Sequence, residues 1–304
     1  MRVSKVKRYL QYICCLSILL LSACSSTSND QYPTEYPQSQ AISKTDVKFP
    51  EFPNQKTLSA QGTAIVDYSH TSQGYIGAKL LDDNKKVKVR VEKDGKQYHH
   101  DLIIKNKWTT FPLQMGNGTY DLVILKNIEG NKYARVAQKQ IQVTLENEFL
   151  PFLYPNQVVD YDKDSQVVDL SFSLTKENQN DLERLKTLYE YVIDCLDYDN
   201  SKAKNVSDVY VLPDLDKAIE EGKGICFDYA SLLAALCRIQ GFPARVITGE
   251  TEIEYHAWVE VYLEGKGWIN PKYEFQEKEW TMIDPTFDDS GADYEGAYVE
   301  VFRY

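Results

Sequence analysis

The sequence contains few of the residues that most metal sites and nucleic-acid surfaces require. Among its 304 residues are only four His and six Cys, and its acidic side chains outnumber the basic ones by 45 to 34. The net charge of −11 leaves no electrostatic footprint for nucleic acid, so we expect no such partner. Charged residues make up 26% of the chain and hydrophobic residues 43%, a balance typical of folded proteins. Disorder over most of the length is therefore excluded.

The first 24 residues have the pattern of a secretory signal. Residues 1–8 contain four basic and no acidic side chains, and a short apolar run follows from Leu10 to Leu21. This run is too short for a comfortable transmembrane helix. Its ending, Leu21-Ser22-Ala23-Cys24, resembles a bacterial lipobox. The resemblance implies a signal peptide over residues 1–23, cleavage before Cys24 and lipid attachment to its thiol.

The lipid chains would bury CH₂ groups in the bilayer and hold the mature protein on the extracytoplasmic face of the bacterial cell membrane. An uncleaved N-terminal anchor is the alternative. The next stretch, residues 24–57, is rich in Ser, Thr, Asn, Gln, Tyr and Pro and poor in apolar residues. We expect it to form a flexible tether between the lipid and the folded part of the chain.

Residues 58–147 are rich in β-branched and aromatic residues that partly alternate with polar ones. Turn signals such as Asp94-Gly95 and Gly116-Asn117-Gly118 separate the short apolar segments. This spacing of short strands predicts an all-β sandwich domain. The predicted strands are Thr63–Tyr68, Tyr75–Leu80, Val87–Glu92, Tyr98–Ile104, Trp108–Leu113, Tyr120–Leu125 and Val136–Leu145.

Three of the four histidines, His70, His99 and His100, fall in this β-rich part. A metal site would also need Cys or carboxylate ligands at a suitable spacing, and the sequence provides none beside them. We therefore expect exposed strand or loop histidines. The residues that follow, 148–176, form a connector whose fold is ambiguous. Its aromatic residues, such as Phe149 and Phe152, lead us to expect that it packs along the next domain.

The spacing of the apolar residues changes to a helical period in residues 177–304. Helices are predicted over residues 179–196, Leu215–Glu221 and Cys226–Gln240, the last ending at Gly241-Phe242-Pro243. Helices followed by antiparallel strands are typical of an α+β domain. The strands predicted after the helices are Ala244–Thr248, His256–Leu263, Gly267–Ile269 and Trp280–Ile283.

Cys226 opens the last of these helices, directly after Gly224-Ile225. The glycine allows a close approach of the backbone, and a helix N-terminus offers unpaired N–H groups and the positive end of the helix dipole. Both stabilise a thiolate and so lower the pKa of the thiol, which makes the Cys nucleophilic. The same N–H groups could bind the oxyanion that forms during acyl transfer.

The other cysteines that follow residue 24 have no such setting. Cys237 lies in the middle of the helix and Cys195 near the end of the preceding one, so both are expected to be packed thiols. An odd number of Cys outside the cell does not make a disulfide framework. A Cys195–Cys237 disulfide stays open as an alternative.

A thiolate nucleophile needs a base, and His256 is the only His that follows Cys226. The alternation of side chains along a strand places His256 on the face opposite Val259 and Val261. A third group must hold the imidazole by its other nitrogen. Asp284 suits this role, because it ends a predicted strand immediately before a Pro. Cys226, His256 and Asp284 are therefore the candidate catalytic residues.

Taken in order, the motifs around these residues resemble the transglutaminase-like superfamily, a branch of the papain-like cysteine enzymes. The resemblance covers about residues 180–290 and implies a papain-like Cys-His-Asp fold for residues 177–304. The motifs are Gly224-Ile225-Cys226-Phe227-Asp228-Tyr229-Ala230, Gly241-Phe242-Pro243-Ala244-Arg245-Val246 with Gly249, His256-Ala257-Trp258, and Trp280 with Asp284-Pro285-Thr286.

The stretch between His256 and Asp284 is longer than the usual hairpin of the family. It contains Trp268-Ile269-Asn270-Pro271, which mimics the third motif. We assign Asp284 because a Trp precedes it by four residues and the Asp-Pro-Thr match is complete, whereas Asn270 lies two residues after its Trp and lacks the Thr. Gly265–Glu279 is then expected to be an inserted loop beside the active site.

The resemblance implies a surface-anchored acyl-transfer enzyme that attacks amide or peptide bonds through a thioester on Cys226. His256 would take the thiol proton and later protonate the leaving amine. The acyl group would pass to an amine, which cross-links, or to water, which hydrolyses. The substrate would be a protein or a cell-wall peptide. A non-catalytic binding, adhesion or scaffold lipoprotein is the alternative.

No cofactor is expected. Some transglutaminases use calcium, but the acidic side chains of residues 288–295 fit no EF-hand loop, so we expect a solvated acidic tail. Asp228 and Arg245 match family positions. We expect them to form structural hydrogen bonds or ion pairs rather than to take part in the chemistry.

Replacing the predicted lipidated residue tests the anchoring. Cys24→Ala should release or mislocalise the protein, because the thiol that would carry the lipid is removed, and it should leave the folded domains intact. Fractionation of cells into membrane and soluble parts, with processing followed on a gel, measures this. Full membrane retention of Cys24→Ala with unchanged processing would contradict the prediction.

Overall fold

Two antiparallel four-stranded sheets build the β-rich part of the chain, and they confirm the predicted sandwich. Their strand orders are β1-β2-β3-β6 and β5-β4-β7-β8, and one apolar core joins them. The strands are β1 (Thr57–Ala60), β2 (Ala64–Asp67), β3 (Tyr75–Leu80), β4 (Val87–Lys93), β5 (Lys96–Leu102), β6 (Trp108–Pro112), β7 (Gly118–Glu129) and β8 (Lys132–Val143). β1 was not predicted.

The computed structural model describes residues 42–178, 180–205, 211–251, 255–269, 275–276, 279–280 and 299–304. The signal peptide, Cys24 and the first part of the predicted tether lie outside these ranges. Among the described residues, none of the helices is both long and apolar enough to cross a bilayer.

Alternation along the strands produces the sandwich core. In β4, Val87, Val89 and Val91 are almost completely buried, whereas the side chains between them face outward. The predicted Asp94-Gly95 turn joins β4 to β5, and both of its residues have positive φ values, 50° and 82°. Such a two-residue turn matches the twist of the paired strands. The register follows, with Lys88 opposite Asp101 and Arg90 opposite His99.

The second half of the chain has a central buried helix, α5 (Cys226–Ile239), between other helices and a sheet. Every residue of α5 from Asp228 to Ile239 is buried. Around it lie α1 (Gln166–Thr175), α2 (Asp181–Cys195), α3 (Asn200–Asn205) and α4 (Leu215–Glu221). The strands are β9 (Asp197–Tyr198), β10 (Lys223–Gly224), β11 (Ala244–Glu250), β12 (Tyr255–Leu263), β13 (Gly267–Ile269), β14 (Phe275–Gln276), β15 (Glu279–Trp280) and β16 (Val299–Arg303).

The main sheet of this half has the order β13-β12-β11-β16, with all neighbours antiparallel. The α+β architecture predicted from the sequence is therefore present. α4 has the predicted bounds, because Asp214 caps its start and Gly222 ends it in the left-handed region at φ 61°. The elements that were not predicted are α1, α3, β9, β10, β14 and β16.

The connector packs along the helices, as expected. Val158, Val159 and Tyr161 belong to the same core as α5, and α1 continues directly from this stretch. Several contacts tie the connector to the sandwich. Among them, the rings of Tyr154 and Tyr75 are 4.6 Å apart, and the Tyr154 hydroxyl donates to Gln73 at 2.8 Å. The connector therefore joins the two halves as a packed layer.

Arg238, in the last turn of α5, binds three separate parts of the chain and is 1% exposed. Its guanidinium donates to the carbonyl oxygens of Tyr154 at 2.7 Å, Ala244 at 2.9 Å and Tyr304 at 3.0 Å. Burial lowers the pKa of Arg238 to about 10, which leaves it charged at neutral pH. The connector, the start of β11 and the end of the sheet all meet at this one side chain.

Part of the predicted tether is packed against the folded chain. Val47 is buried in the core that surrounds α5, and the ring of Phe52 stacks on Trp108 at 4.8 Å between ring centres. A side chain on Gly77 would overlap the Phe52 ring, so the strand there accommodates this contact only with glycine. A solvated tether would leave these side chains exposed. The described residues 42–57 therefore belong to the folded part.

The histidines of the sandwich differ from one another. His99 is exposed, as expected, but His100 is 5% exposed and its ring stacks on Phe111 at 4.3 Å. The prediction of exposure was therefore wrong for His100, because its position in β5 faces the interior. Burial lowers the pKa of His100 to about 3, so it is neutral. Within the described ranges no group of His, Cys, Asp and Glu is arranged to hold a metal ion.

Candidate active site

The topology brings Cys226 and His256 to the same end of the layer that α5 forms with β11 and β12. α5 ends at Ile239 and β11 begins five residues later, so β11 runs back along the helix. Both elements are about 20 Å long at their usual rises per residue. The end of β11 thus returns to the level of Cys226, and there Gly249 pairs with His256 at the start of β12.

A short parallel ladder fixes the chain just before Cys226. β10 pairs with β9, with Gly224 opposite Tyr198. The amide of Asp197 donates to the carbonyl of Gly222 at 2.9 Å, and the amide of Asp199 donates to that of Gly224 at 2.8 Å. These bonds hold the approach to α5 in an extended form. Cys226 then begins the helix at its first position, half-buried.

Asp228 caps the helix that Cys226 begins. Its carboxylate accepts a hydrogen bond from the amide of Ile225 at 2.9 Å, which satisfies one of the donors at the helix start. The Cβ of an added side chain on Gly224 would lie 2.7 Å from the Cβ of Asp228. The glycine two residues before Cys226 is therefore required so that the capping carboxylate can pack against the backbone.

Lys202, from α3, neutralises this carboxylate. Its ammonium donates to both oxygens of Asp228, at 2.8 and 2.6 Å. The Asp228 side chain is 2% exposed and that of Lys202 is 30% exposed, so the carboxylate of the pair is shielded from water. The expectation that Asp228 forms a structural ion pair is confirmed. Lys202 itself was missed, because nothing in its local sequence signals a contact with a residue 26 positions away.

The charges at the start of α5 have a direct consequence for Cys226. An unpaired carboxylate within the first turn would oppose a second negative charge nearby. Because Lys202 pairs with Asp228, this carboxylate is compensated and does not oppose the positive end of the helix dipole.

His256 lies near the start of β12 and is 1% exposed. Ala257, Val259 and Val261 belong to the core around α5, so alternation places His256 on the other face of β12, as predicted. The residue opposite His256 on β11 is Gly249, and its lack of a side chain leaves room for two neighbouring groups. A side chain there would lie 2.1 Å from the carbonyl oxygen of Val299 and 3.0 Å from the Trp258 ring.

Arg245 and Glu260 form an ion pair farther along the same face, opposite each other on β11 and β12. The Nε of Arg245 donates to Glu260 at 2.6 Å, and the guanidinium lies 4.1 Å from the centre of the Trp268 ring. Phe152 of the connector packs edge-on against Trp268. Arg245 therefore has the structural role that was expected.

The three described cysteines are all free thiols, so the alternative of a Cys195–Cys237 disulfide is not realised. Cys237 is completely buried, and burial raises the pKa of its thiol. Cys195 is half-buried at the end of α2. Of the three, only Cys226 stands at a helix N-terminus.

Several predicted site residues lie outside the described ranges. They are Asp284, its competitor Asn270, the acidic side chains of residues 288–295, and Cys24. Most of the expected insertion, Gly265–Glu279, is also undescribed. Its described parts are β13, which pairs with β12, and the small β14–β15 hairpin.

Comparison with known proteins agrees with the motifs. Residues 168–271 match the model of the transglutaminase-like superfamily. The uncharacterized protein YebA of Bacillus subtilis strain 168 is 29% identical over 127 residues. That similarity covers 34% of this chain and 17% of YebA, so the chain spans only a small part of this relative's length.

Two solved structures are similar at a lower level. A cysteine protease-like protein of Cytophaga hutchinsonii is 15% identical, with a TM-score of 0.35, over 76% of this chain and 91% of that one. The periplasmic domain of TgpA from Pseudomonas aeruginosa, bound to ethylmercury, is 14% identical, with a TM-score of 0.32, over 68% of this chain and 91% of that one. The helix that begins at Cys226 and the strand that carries His256 agree with the match over residues 168–271. The chain therefore contains a transglutaminase-like domain, preceded by a β-rich part.

Proposed function

We propose that the protein is a cysteine acyl-transfer enzyme that acts on amide or peptide bonds, with Cys226 as the nucleophile and His256 as the base. We further propose that lipid on Cys24 holds it on the extracytoplasmic face of the membrane. One observation carries the catalytic proposal. A half-buried Cys begins the central helix, and the strand with the only downstream His begins at the same end of that helix.

The proposed reaction has two halves. His256 takes the thiol proton, and the Cys226 sulfur bonds to the carbonyl carbon while the carbonyl oxygen becomes an oxyanion. Backbone N–H groups at the start of α5 are suited to hold that oxyanion. The carbon–nitrogen bond then breaks, the amine leaves with the proton from His256, and a thioester remains. Attack by an amine or by water releases the acyl group and restores the thiol.

The register of the β12–β13 hairpin counts against Asn270 as the group that orients His256, and the complete Asp-Pro-Thr match favours Asp284. Ile269, which precedes Asn270, pairs with Val261, five residues and thus about 16 Å from His256 along β12. One more residue moves the chain by at most about 3.8 Å. An Asn side chain is too short to span the remaining distance to His256. The proposed triad is therefore Cys226, His256 and Asp284.

Nucleophile and base are common to cross-linking and hydrolysis, so the proposal extends to both. Access of an acceptor amine and exclusion of water decide between the two outcomes. The proposed substrate is a protein or a cell-wall peptide. A non-catalytic surface-binding protein is the alternative, and the labelling experiment below separates it from an enzyme.

We predict that iodoacetamide labels Cys226 well before Cys195 and Cys237 at neutral pH. A helix N-terminus and an imidazolium partner bring a thiol pKa to about 3.5–7.5, against about 8.5 for a free Cys. Cys226 begins a helix and the other two cysteines do not, so we expect it to react first. Peptide-level mass spectrometry over a time course measures the three rates in one sample.

The two other thiols are internal controls, because Cys237 is buried with a raised pKa and Cys195 is not at a helix start. Cys226→Ser should abolish the fast phase. It should also abolish the thioester adduct that an amide substrate leaves on the wild type. Equal labelling of Cys226 and Cys195 in the native protein would favour the non-catalytic alternative.

Lys202→Met should slow the labelling of Cys226 at neutral pH. The substitution leaves the charge of Asp228 uncompensated in the first turn of α5, and we expect a rate about tenfold lower. Lys217→Met, which removes one charge from the exposed face of α4, is the matched control and should leave the rate unchanged.

A double variant separates charge from folding. Lys202→Met with Asp228→Asn removes both charges and keeps an acceptor for the Ile225 amide, so the wild-type labelling rate should return. Thermal unfolding of each variant checks that the fold survives. A labelling rate that is unchanged in the folded Lys202→Met protein would show that the pair does not act on the thiol.

Asp284→Ala should lower activity by about a hundred-fold or more while the protein stays folded. Loss of the orienting acid costs about ten-thousand-fold in a Ser-His-Asp enzyme, and a thiolate–imidazolium pair depends on it less. Asn270→Ala should have a much smaller effect. Turnover of a substrate accepted by the wild type compares the two. A near-normal Asp284→Ala beside an inactive Asn270→Ala would show that the third position is misassigned.

A further inference from the structure

A groove of about 1000 Å³ lies on the outer side of the sandwich sheet β5-β4-β7-β8. Its floor contains the outward side chains of β4 and β5, among them Lys88, Arg90 and His99. The loop before β4 supplies one wall with Lys85 and Lys86. The start of β8 supplies the other wall with Tyr133. None of these residues takes part in the acyl-transfer site.

The groove is positively charged although the whole chain carries −11. Lys85, Lys86, Lys88 and Arg90 line it, against only two acidic residues. Both acids already have partners. Asp83 accepts from Lys105 at 3.0 Å, and Asp101 accepts from Lys88 at 2.7 Å. Lys85 and Lys86 are exposed on the rim.

The pKa of His99 reflects the positive charges that line the groove. The pKa of His99 lies below its ordinary value, first because the ring is partly buried and then because Arg90 and Lys88 are close. Arg90 can also donate a further hydrogen bond. Its Nη2 lies 3.2 Å from Glu92, but its buried Nε has no hydrogen-bond partner among the described residues. A donor left in this way is costly unless a ligand or water meets it.

The spacing of the charges suits a chain rather than a single ion. Lys88 and Arg90 are two residues apart on the same face of β4, which separates them by about 7 Å. Lys85 and Lys86 continue the row beyond the start of the strand. A row of cations along a groove matches an extended ligand with repeated negative charges. Arg binds phosphate through paired, charge-assisted hydrogen bonds.

We propose that this groove binds a linear polyanion with phosphate groups along a sugar or polyol backbone. Leu125 and Tyr133 offer apolar and aromatic surface to the carbon backbone of such a chain, beside the row of cations. Single-stranded nucleic acid is disfavoured, because its bases stack on several aromatic side chains and Tyr133 is the one aromatic ring among the groove residues apart from His99. The sandwich would then hold the catalytic domain beside a phosphate-rich polymer.

Binding of fluorescent linear polyphosphate to the full mature protein in detergent tests this proposal. Lys88→Gln with Arg90→Gln should weaken binding at least tenfold and reduce the salt dependence by about two released counterions. The exposed pair Lys85→Gln with Lys86→Gln should act in the same direction without risk to the core. Lys56→Gln with Lys139→Gln removes two exposed charges elsewhere on the sandwich and should bind like the wild type.

Three comparisons complete the test. Labelling of Cys226 should be unchanged in all variants, which shows that they are folded and that the groove is independent of the acyl-transfer site. Equal weakening by the groove variants and by the Lys56 and Lys139 control would overturn the proposal, since it would reflect net charge alone. Binding of phosphatidylglycerol vesicles without polyphosphate binding would overturn it in favour of a lipid headgroup. An oligonucleotide that binds more tightly than polyphosphate would overturn the choice of backbone.

Discussion

The buried guanidinium of Arg238 is the interaction on which the arrangement of the two halves depends. A charge in an apolar core is tolerated only when its donors are satisfied, and here the acceptors are carbonyls from three distant parts of the chain. The Tyr304 carbonyl also accepts from the amide of Val246 at 3.0 Å, which ties this contact to β11. The helix that carries Cys226, the connector and the sheet that carries His256 are therefore fixed to one another from the opposite end of α5.

The start of α5 depends on a second set of contacts. A thiol at a helix N-terminus needs a well-formed first turn, and the carboxylate of Asp228 provides it by capping Ile225. The cap requires a glycine at position 224 and a positive partner, which Lys202 supplies from a separate short helix. Gly224, Asp228 and Lys202 therefore support the nucleophile through structure and charge, although none of them takes part in bond making.

Much of this could be predicted from the sequence, because the signals were local. The bounds of α4 followed from a capping Asp and a terminal Gly, and the start of α5 from the glycines before Cys226. α1 was missed because its buried face includes Ser171 and Thr175, which weaken the apolar period. Their hydroxyls bond to the carbonyls of Leu236 and Ser171, and such partners are not visible in a sequence.

Long-range contacts account for the remaining differences. Polar composition indicated a free tether up to residue 57, but two apolar side chains in it, Val47 and Phe52, find partners far along the chain. β16 was missed because its strand pairing depends on β11, which lies about fifty residues earlier. Asp228 and Arg245 could be assigned as structural because family motifs marked them. Lys202 carries no such mark.

The order β13-β12-β11-β16 has a further consequence for the segment that contains Asp284. β13 ends at Ile269 on one edge of the sheet and β16 begins at Val299 on the other, three strand spacings or about 14 Å away. The strands on either side of this segment thus belong to the same sheet, and β16 pairs with β11 at Gly249, the partner of His256. The entropy of closing such a loop grows only slowly with its length. The connection between these two outer strands can therefore vary in length at little cost to the stability of the sheet that carries His256.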